Sequence, residues 1–179
     1  ANGLSIERHK QQAAEIKKIQ KGLGDQITIL HSSEVEIKAD GSLDYPDDFL
    51  ASLDLVVASL HSSLRQPREK ITARLLKAVN NPHVDIIGHP TGREIPDREG
   101  ADLDMEVILQ AAAKSGVAME ISASPYRLDL DDPHARRARE LGVLLSINTD
   151  AHSEEDYDML HYGVAIARRA GILKEDVIN

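Results

Sequence analysis

The sequence predicts one α/β domain built around a mostly parallel sheet. Short runs of β-branched and apolar residues alternate with longer segments of helical pattern along all 179 residues. These runs, such as residues 54–60 and 84–88, are apolar throughout, which is typical of strands covered by helices on both faces. Because parallel crossover connections are right-handed, the pattern indicates either a doubly wound sheet or an arc of a β/α barrel.

Local signals at the ends of the segments justify each helix in turn. Ser5 and Ser153 are suited to cap the first and last long helices, and Asp102 and Asp132 to cap two of those between them. Pro67 stands at the first position of another, where its missing N–H costs nothing. Predicted helices therefore span residues 5–21, 46–52, 67–79, 103–114, 133–141 and 153–171.

Each predicted strand precedes or follows one of these helices. The first, at residues 27–30, has residues 35–37 as its extension or partner, and Asp40–Gly41 forms a turn. The other predicted strands span residues 54–60, 84–88, 117–121 and 143–148. About five β/α steps result, which is enough for one domain of this length.

Composition excludes several classes of protein and site. The chain has no cysteine, so disulfides, thiolate metal sites and cysteine nucleophiles are excluded, and a cytoplasmic location is expected. A formal charge of −9 argues against a free-standing nucleic-acid binder. No apolar run approaches membrane-spanning length, so no membrane association is expected.

Metal-ligating side chains follow several of the predicted strands. His61 and His89 come directly after two strands, Asp150 and His152 leave a third within Thr-Asp-Ala-His, and Glu34 lies beside the first. Because parallel strands end at a common edge, these five side chains should share one mouth. Neutral imidazole and carboxylate oxygen suit Zn, Mn or Fe. The sequence therefore predicts a metal centre, although a single histidine is more often a surface or core residue.

The stretches that carry these residues also resemble a known family. ASLHS, IIGHPTG and INTDAH, preceded by SEVEI, are similar to the PHP (polymerase and histidinol phosphatase) domains. The resemblance covers nearly the whole chain and is strongest to the C-terminal PHP domain of bacterial family X DNA polymerases. It implies a partial, distorted (β/α)7 TIM-like barrel that hydrolyses phosphoesters with up to three divalent ions.

The resemblance also implies roles for particular residues. Glu34, His61, His89, Asp150 and His152 match the family's ligands, with Glu34 bridging two ions and Asp150 orienting the nucleophilic water. Arg65 and Arg93 lie just past strand ends, where each could meet substrate phosphate or simply be a solvated surface arginine.

The family's opening His-x-His motif and the Asp and His that follow it are absent from this sequence. We therefore expect residues 1–179 to be the C-terminal portion of a PHP domain. Fewer metal ions and impaired activity should result. A barrel without its first units would have an open sheet edge. We expect this edge to be covered by a homodimer or by a rearranged first helix, or to stay partly uncovered.

Three functions remain open after this comparison. The first is a 3′→5′ exonuclease or 3′-end-processing module that reaches DNA 3′ ends through upstream polymerase domains. The second is a small-molecule phosphatase of the histidinol phosphatase type, and the third a non-catalytic structural module of the polymerase.

Overall fold

The computed structural model describes residues 3–179, so residues 1 and 2 of the predicted domain lie outside the described residues. Five parallel strands form one sheet in the order β1-β2-β3-β4-β5. They are β1 Ser32–Glu36, β2 Leu55–Ser59, β3 Ile86–Gly88, β4 Ala118–Ser122 and β5 Leu145–Asn148. The helices are α1 Ile6–Leu23, α2 Asp47–Leu50, α3 Arg68–Val79, α4 Met105–Ser115, α5 Asp132–Glu140 and α6 Leu160–Ala170, with 3-10 turns at Glu154–Met159 and Lys174–Asp176.

The strand order decides between the two predicted architectures. Every strand pairs with its neighbour in sequence, and each pairing is parallel. A doubly wound sheet would reverse its order at a switch point, and the described strands have no such reversal. The sheet is therefore an arc of a β/α barrel, as the family resemblance implied.

The arc is open within the described residues, because β1 and β5 pair with no strand on their outer sides. At the β5 edge, the amide of Ile178 donates to the Leu145 carbonyl at 2.9 Å, and the Asn179 side chain bonds both main-chain groups of Ile147. At the β1 side, Ile27 and Leu30 are exposed. The two edges thus differ: a short chain segment lies along one and apolar side chains flank the other.

Alternation along the strands separates a core face from a polar face. Val35, Ala58, Met119 and Leu145 belong to the hydrophobic core formed with the helices. Towards the carboxyl ends of the strands, the alternate positions carry polar side chains, which are Glu34, Glu36, Ser59, Glu120, Ser122, Ser146 and Asn148. A strand with period-two alternation presents one face to each side, so the inner face of the arc is polar at the carboxyl ends of the strands.

The predicted first strand at residues 27–30 is wrong. This stretch is not a strand; Gln20 at the end of α1 binds the Ile27 carbonyl and the Ile29 amide. The strand that pairs with β2 is Ser32–Glu36, in which Ser33 and Val35 are buried while Ser32 and Glu34 are exposed. Alternate residues of this strand are polar and face the inner side of the arc. The strand forms by pairing with β2, which is not adjacent to it in sequence.

Two of the predicted helix caps shift to a neighbouring acidic residue. Asp104, rather than Asp102, caps α4 by accepting from the Val107 amide, whereas Asp102 pairs with Arg68 at 2.9 Å. Asp131, rather than Asp132, caps α5. Closely spaced aspartates offer equivalent local signals, and only the path of the preceding loop decides between them.

The first helix is capped by Ser5 as predicted, but its apolar stripe is not buried. Ile19 is 53% exposed. The residue that α1 does bury is His9, whose ring lies 5.0 Å from Phe49 and 5.8 Å from His31, centroid to centroid. The contact of α1 with the rest of the domain therefore depends on an imidazole more than on an aliphatic face.

Candidate metal centre

Three of the predicted ligands converge at one point of the inner face. Glu34 Oε1 lies 3.0 Å from His89 Nε2 and 3.3 Å from His61 Nε2. The ligand atoms of the three side chains all lie within 4.8 Å of one another. The structure thus brings together residues that belong to three different strand regions.

Strand order explains this convergence. Glu34 lies on β1, His61 follows β2 after Leu60, and His89 follows Gly88 at the end of β3. Parallel neighbours direct their carboxyl ends to the same edge. Gly88 is required here because a Cβ at this position would lie 2.5 Å from Ser59 Oγ.

Hydrogen bonding fixes the charge of Glu34. Burial alone would raise the pKa of its carboxyl, but hydrogen bonds from His61 and His89 outweigh burial and hold that pKa well below its usual range. In return, Glu34 raises the pKa of His61 against the opposing effect of burial. The centre therefore presents a carboxylate anion flanked by two imidazoles.

Glu36 orients His61 from the side opposite Glu34. Its Oε2 lies 2.7 Å from His61 Nδ1, and its Oε1 accepts from the Ser62 hydroxyl at 2.6 Å. An imidazole whose Nδ1 is bonded to a carboxylate has its Nε2 free to act as a ligand. Glu36 therefore holds the His61 ring by direct contact.

Arg74 supports Glu36 and was not predicted from the sequence. Its side chain is 1% exposed and reaches the Glu36 carboxylate at 3.4 Å. The guanidinium also donates to the carbonyls of Ile37 and Ser62. The signal was present, since Arg74 shares the buried face of α3 with Ile71 and Leu75 at helical spacing.

Asp150 and His152 do not join the three converging residues. The Asp150 carboxylate lies 4.0 Å from Arg127 Nε and 4.0 Å from His152 Nδ1. The His152 side chain is 82% exposed, and its Nδ1 lies 2.7 Å from the Asp150 carbonyl. Their roles as ligands stay predictions.

The two predicted substrate-binding arginines differ in their surroundings. Arg65 is exposed and lines, with His61, a cleft of about 870 Å³ beside the metal centre. Arg93 donates through its side chain to the carbonyls of Arg127 and Leu128. Arg93 thus braces a loop, while Arg65 is free of ion pairs within residues 3–179; phosphate binding by either one stays a prediction.

The residues that converge fit a divalent ion. Two imidazole Nε2 atoms and one carboxylate oxygen are a donor set typical of Zn and acceptable to Mn and Fe. Both Nε2 atoms face the same carboxylate oxygen, and Glu36 holds one ring from behind. An ion placed among them would take the position that the three side chains now share by hydrogen bonding.

Comparisons with known proteins agree with this geometry. No family model matches the chain. It is 46% identical over its full length to the DNA polymerase/3′-5′ exonuclease PolX of Bacillus subtilis (strain 168), where it matches the C-terminal part and 31% of the whole. It is 33% identical over 86% of its length to a "probable phosphatase" of Thermoanaerobacter sp. (strain X514).

A solved structure shares the fold. It is histidinol phosphate phosphatase from Lactococcus lactis subsp. lactis Il1403, complexed with zinc, L-histidinol and phosphate. The TM-score is 0.62, with 19% identity, and the match covers 95% of this chain and 76% of that one. The chain is a PHP domain. Its sequence is most like that of family X polymerases, as the motifs indicated.

This PHP domain covers only part of its relatives. It spans about a third of PolX and 64% of the Thermoanaerobacter phosphatase. Among the described residues, no helix has the length and apolar character needed to cross a membrane.

Proposed function

We propose that this PHP domain serves a divalent-metal-dependent phosphoesterase and that Glu34, His61 and His89 bind the metal. The observation that carries the proposal is the convergence of these three side chains within 4.8 Å at the carboxyl end of the sheet. Relatives that are described as an exonuclease and as phosphatases support phosphoester hydrolysis as the reaction.

Each residue of the proposed site has a physical task. Glu34 supplies negative charge between the two imidazoles, and Glu36 keeps His61 in the orientation that presents Nε2. Arg65 borders the cleft beside His61, where it would attract a phosphate group. When bound, a divalent ion lowers the pKa of coordinated water and neutralises phosphate charge.

We propose DNA 3′ ends as the substrate, with polymerase domains delivering them. Identity of 46% over the full chain to a protein named a 3′-5′ exonuclease supports this choice. The domain carries 30 acidic and 21 basic residues. Because such a surface repels the DNA backbone, delivery by other domains suits it better than direct capture.

We also propose that these three ligands are one share of a larger cluster, and that the 179-residue chain alone has low activity. Asp150 and His152 lie apart from the three ligands, and no strand of residues 3–179 pairs with the outer side of β1. A third function is that of a purely structural module of the polymerase. Metal analysis of the purified protein would separate this function from the two catalytic functions, because only those require a bound metal.

A small-molecule phosphatase is the second candidate, because the Thermoanaerobacter relative is named as a phosphatase and the histidinol phosphatase structure shares the fold. The two candidates are separated by matched assays with Mn²⁺ on 3′-labelled single-stranded DNA and on histidinol phosphate. We expect release of nucleotides from DNA, and the same chain extended upstream should be more active. Preference for histidinol phosphate would favour the second candidate.

His89→Ala should abolish whichever activity is found, and His83→Ala, at a half-buried position before β3, is the matched control. Full activity of His89→Ala would contradict the assignment of the site.

A further inference from the structure

Glu120 is a buried carboxylate on the inner face of β4, beside the metal centre. Its side chain lies between two other strand ends, and the residue is 5% exposed. Oε2 accepts a hydrogen bond from the His89 amide at 2.5 Å, and Oε1 accepts one from Asn148 Nδ2 at 2.8 Å. Within residues 3–179 no lysine or arginine pairs with it, and both of its hydrogen-bond donors are neutral groups.

The first residues of the loop after β3 donate their amide hydrogens to two buried carboxylates. The His89 amide goes to Glu120, Pro90 has no N–H, and the amides of Thr91 and Gly92 donate to Asp129 Oδ2 at 2.9 and 3.1 Å. Burying two carboxylates is costly unless their hydrogen bonds are complete. Their pairing with one loop therefore fixes the path of that loop tightly.

His89 depends on this main-chain support more than His61 does. The ring of His61 is held through Nδ1 by Glu36. The Nδ1 of His89 is buried and has no hydrogen-bond partner among the described atoms. His89 also has φ of +25°, a value that a residue with a side chain adopts only when its surroundings enforce it. The direction of its imidazole must therefore be set through the backbone.

We propose that Glu120 is a positioning residue for the metal centre, which holds the His89 main chain so that Nε2 faces Glu34. The same carboxylate binds Asn148, two residues before Asp150. Glu120 thus also connects the end of β3 to the loop that carries Asp150 and His152. The inference rests on the proposed metal site, but it concerns how that site is built.

Three variants separate positioning from simple structural support. Glu120→Ala removes both hydrogen bonds. Glu120→Gln keeps a side-chain oxygen that can accept from the His89 N–H, which is the hydrogen bond on which the inference depends. Ser122→Ala is the matched control, since Ser122 is buried on the same face of β4 and its Oγ has no hydrogen-bond partner within residues 3–179.

The readouts are Zn²⁺ affinity by titration calorimetry and the visible absorption of bound Co²⁺, measured on the whole chain. We expect Glu120→Ala to weaken Zn²⁺ binding by about tenfold or more and to change the Co²⁺ spectrum, as loss of support behind a ligand does. Glu120→Gln and Ser122→Ala should stay close to the wild-type affinity and spectrum. A merely structural role would lower the melting temperature without changing either.

A Glu120→Ala variant with wild-type Zn²⁺ affinity and Co²⁺ spectrum would overturn the inference. Equal losses of Zn²⁺ affinity in Glu120→Ala and Glu120→Gln would also overturn it. If Glu120→Ala does not fold by circular dichroism, Glu120→Asp replaces it, because the shorter carboxylate cannot reach both His89 and Asn148. Absence of Zn²⁺ binding by the wild-type chain would instead refute the proposed function, and the inference with it.

Discussion

Replacement of Arg74 by methionine should destabilise this domain strongly. Methionine keeps much of the aliphatic volume of the arginine stem, so the change isolates the guanidinium. That group donates to the carbonyls of Ile37 and Ser62 and lies 3.4 Å from the Glu36 carboxylate. Its removal leaves buried acceptors without a donor and a half-buried carboxylate without its cation.

Breaking a buried charge pair in this way costs about 3–5 kcal/mol of unfolding free energy. For a domain of this size, that corresponds to a fall in Tm of the order of 10 °C. Urea unfolding followed by circular dichroism measures the difference. Arg8→Met on the exposed side of α1 is the control and should change the unfolding free energy by less than about 0.5 kcal/mol. An Arg74→Met variant within 1 kcal/mol of wild type would refute the reasoning.

Other predictions test the packing, the titration and the metal site. Gly88→Ala should destabilise by about 1–3 kcal/mol, because its Cβ would lie 2.5 Å from Ser59 Oγ. Gly22→Ala, which meets nothing within 4 Å on α1, should stabilise by about 0.5–1 kcal/mol, and urea unfolding compares the two. Burial and a neighbouring imidazole lower the pKa of His9 below 6.5. As the pH falls, the unfolded chain therefore takes up the His9 proton before the folded chain does, and the free energy of unfolding should decrease as the pH drops through 6.5 and below. His9→Phe should reduce this decrease. An equal decrease in both proteins would contradict the prediction. Zn²⁺ at 100 times its Kd should raise the unfolding free energy by about 2.7 kcal/mol, reversibly with a chelator and not in His61→Ala. Size-exclusion chromatography tests the predicted homodimer, for which a compact, stable monomer would be the contrary result.

The convergence of three strand-end side chains followed from the sequence more directly than the position of the first strand did. His61 and His89 could be placed because each directly follows an apolar run, and parallel strands end at one edge. The run at 27–30 carried the stronger local strand signal, yet β1 forms at Ser32–Glu36, where pairing with β2 is available. Strand propensity depends on the neighbour that covers the strand, and that neighbour is not visible locally.

The supporting residues were harder to find for the same reason. Glu36, Arg74 and Glu120 act through partners that are distant in the chain. A buried charge in a helix or strand is a signal that something must compensate it, but the sequence does not say what. Asp150 and His152 show the converse case: their spacing predicts ligands, but their distance from Glu34 depends on loop paths that the spacing does not fix.

By itself, the sequence determined the α/β class, the number of strand–helix steps and the identity of the residues at the strand ends. It did so because hydrophobic periodicity and capping are local properties of the chain. Only the tertiary structure decided that the sheet is an open arc in sequential order and that Glu34, His61 and His89 converge. Those features depend on which strands pair and how closely their backbones approach, and both are fixed by packing between distant segments.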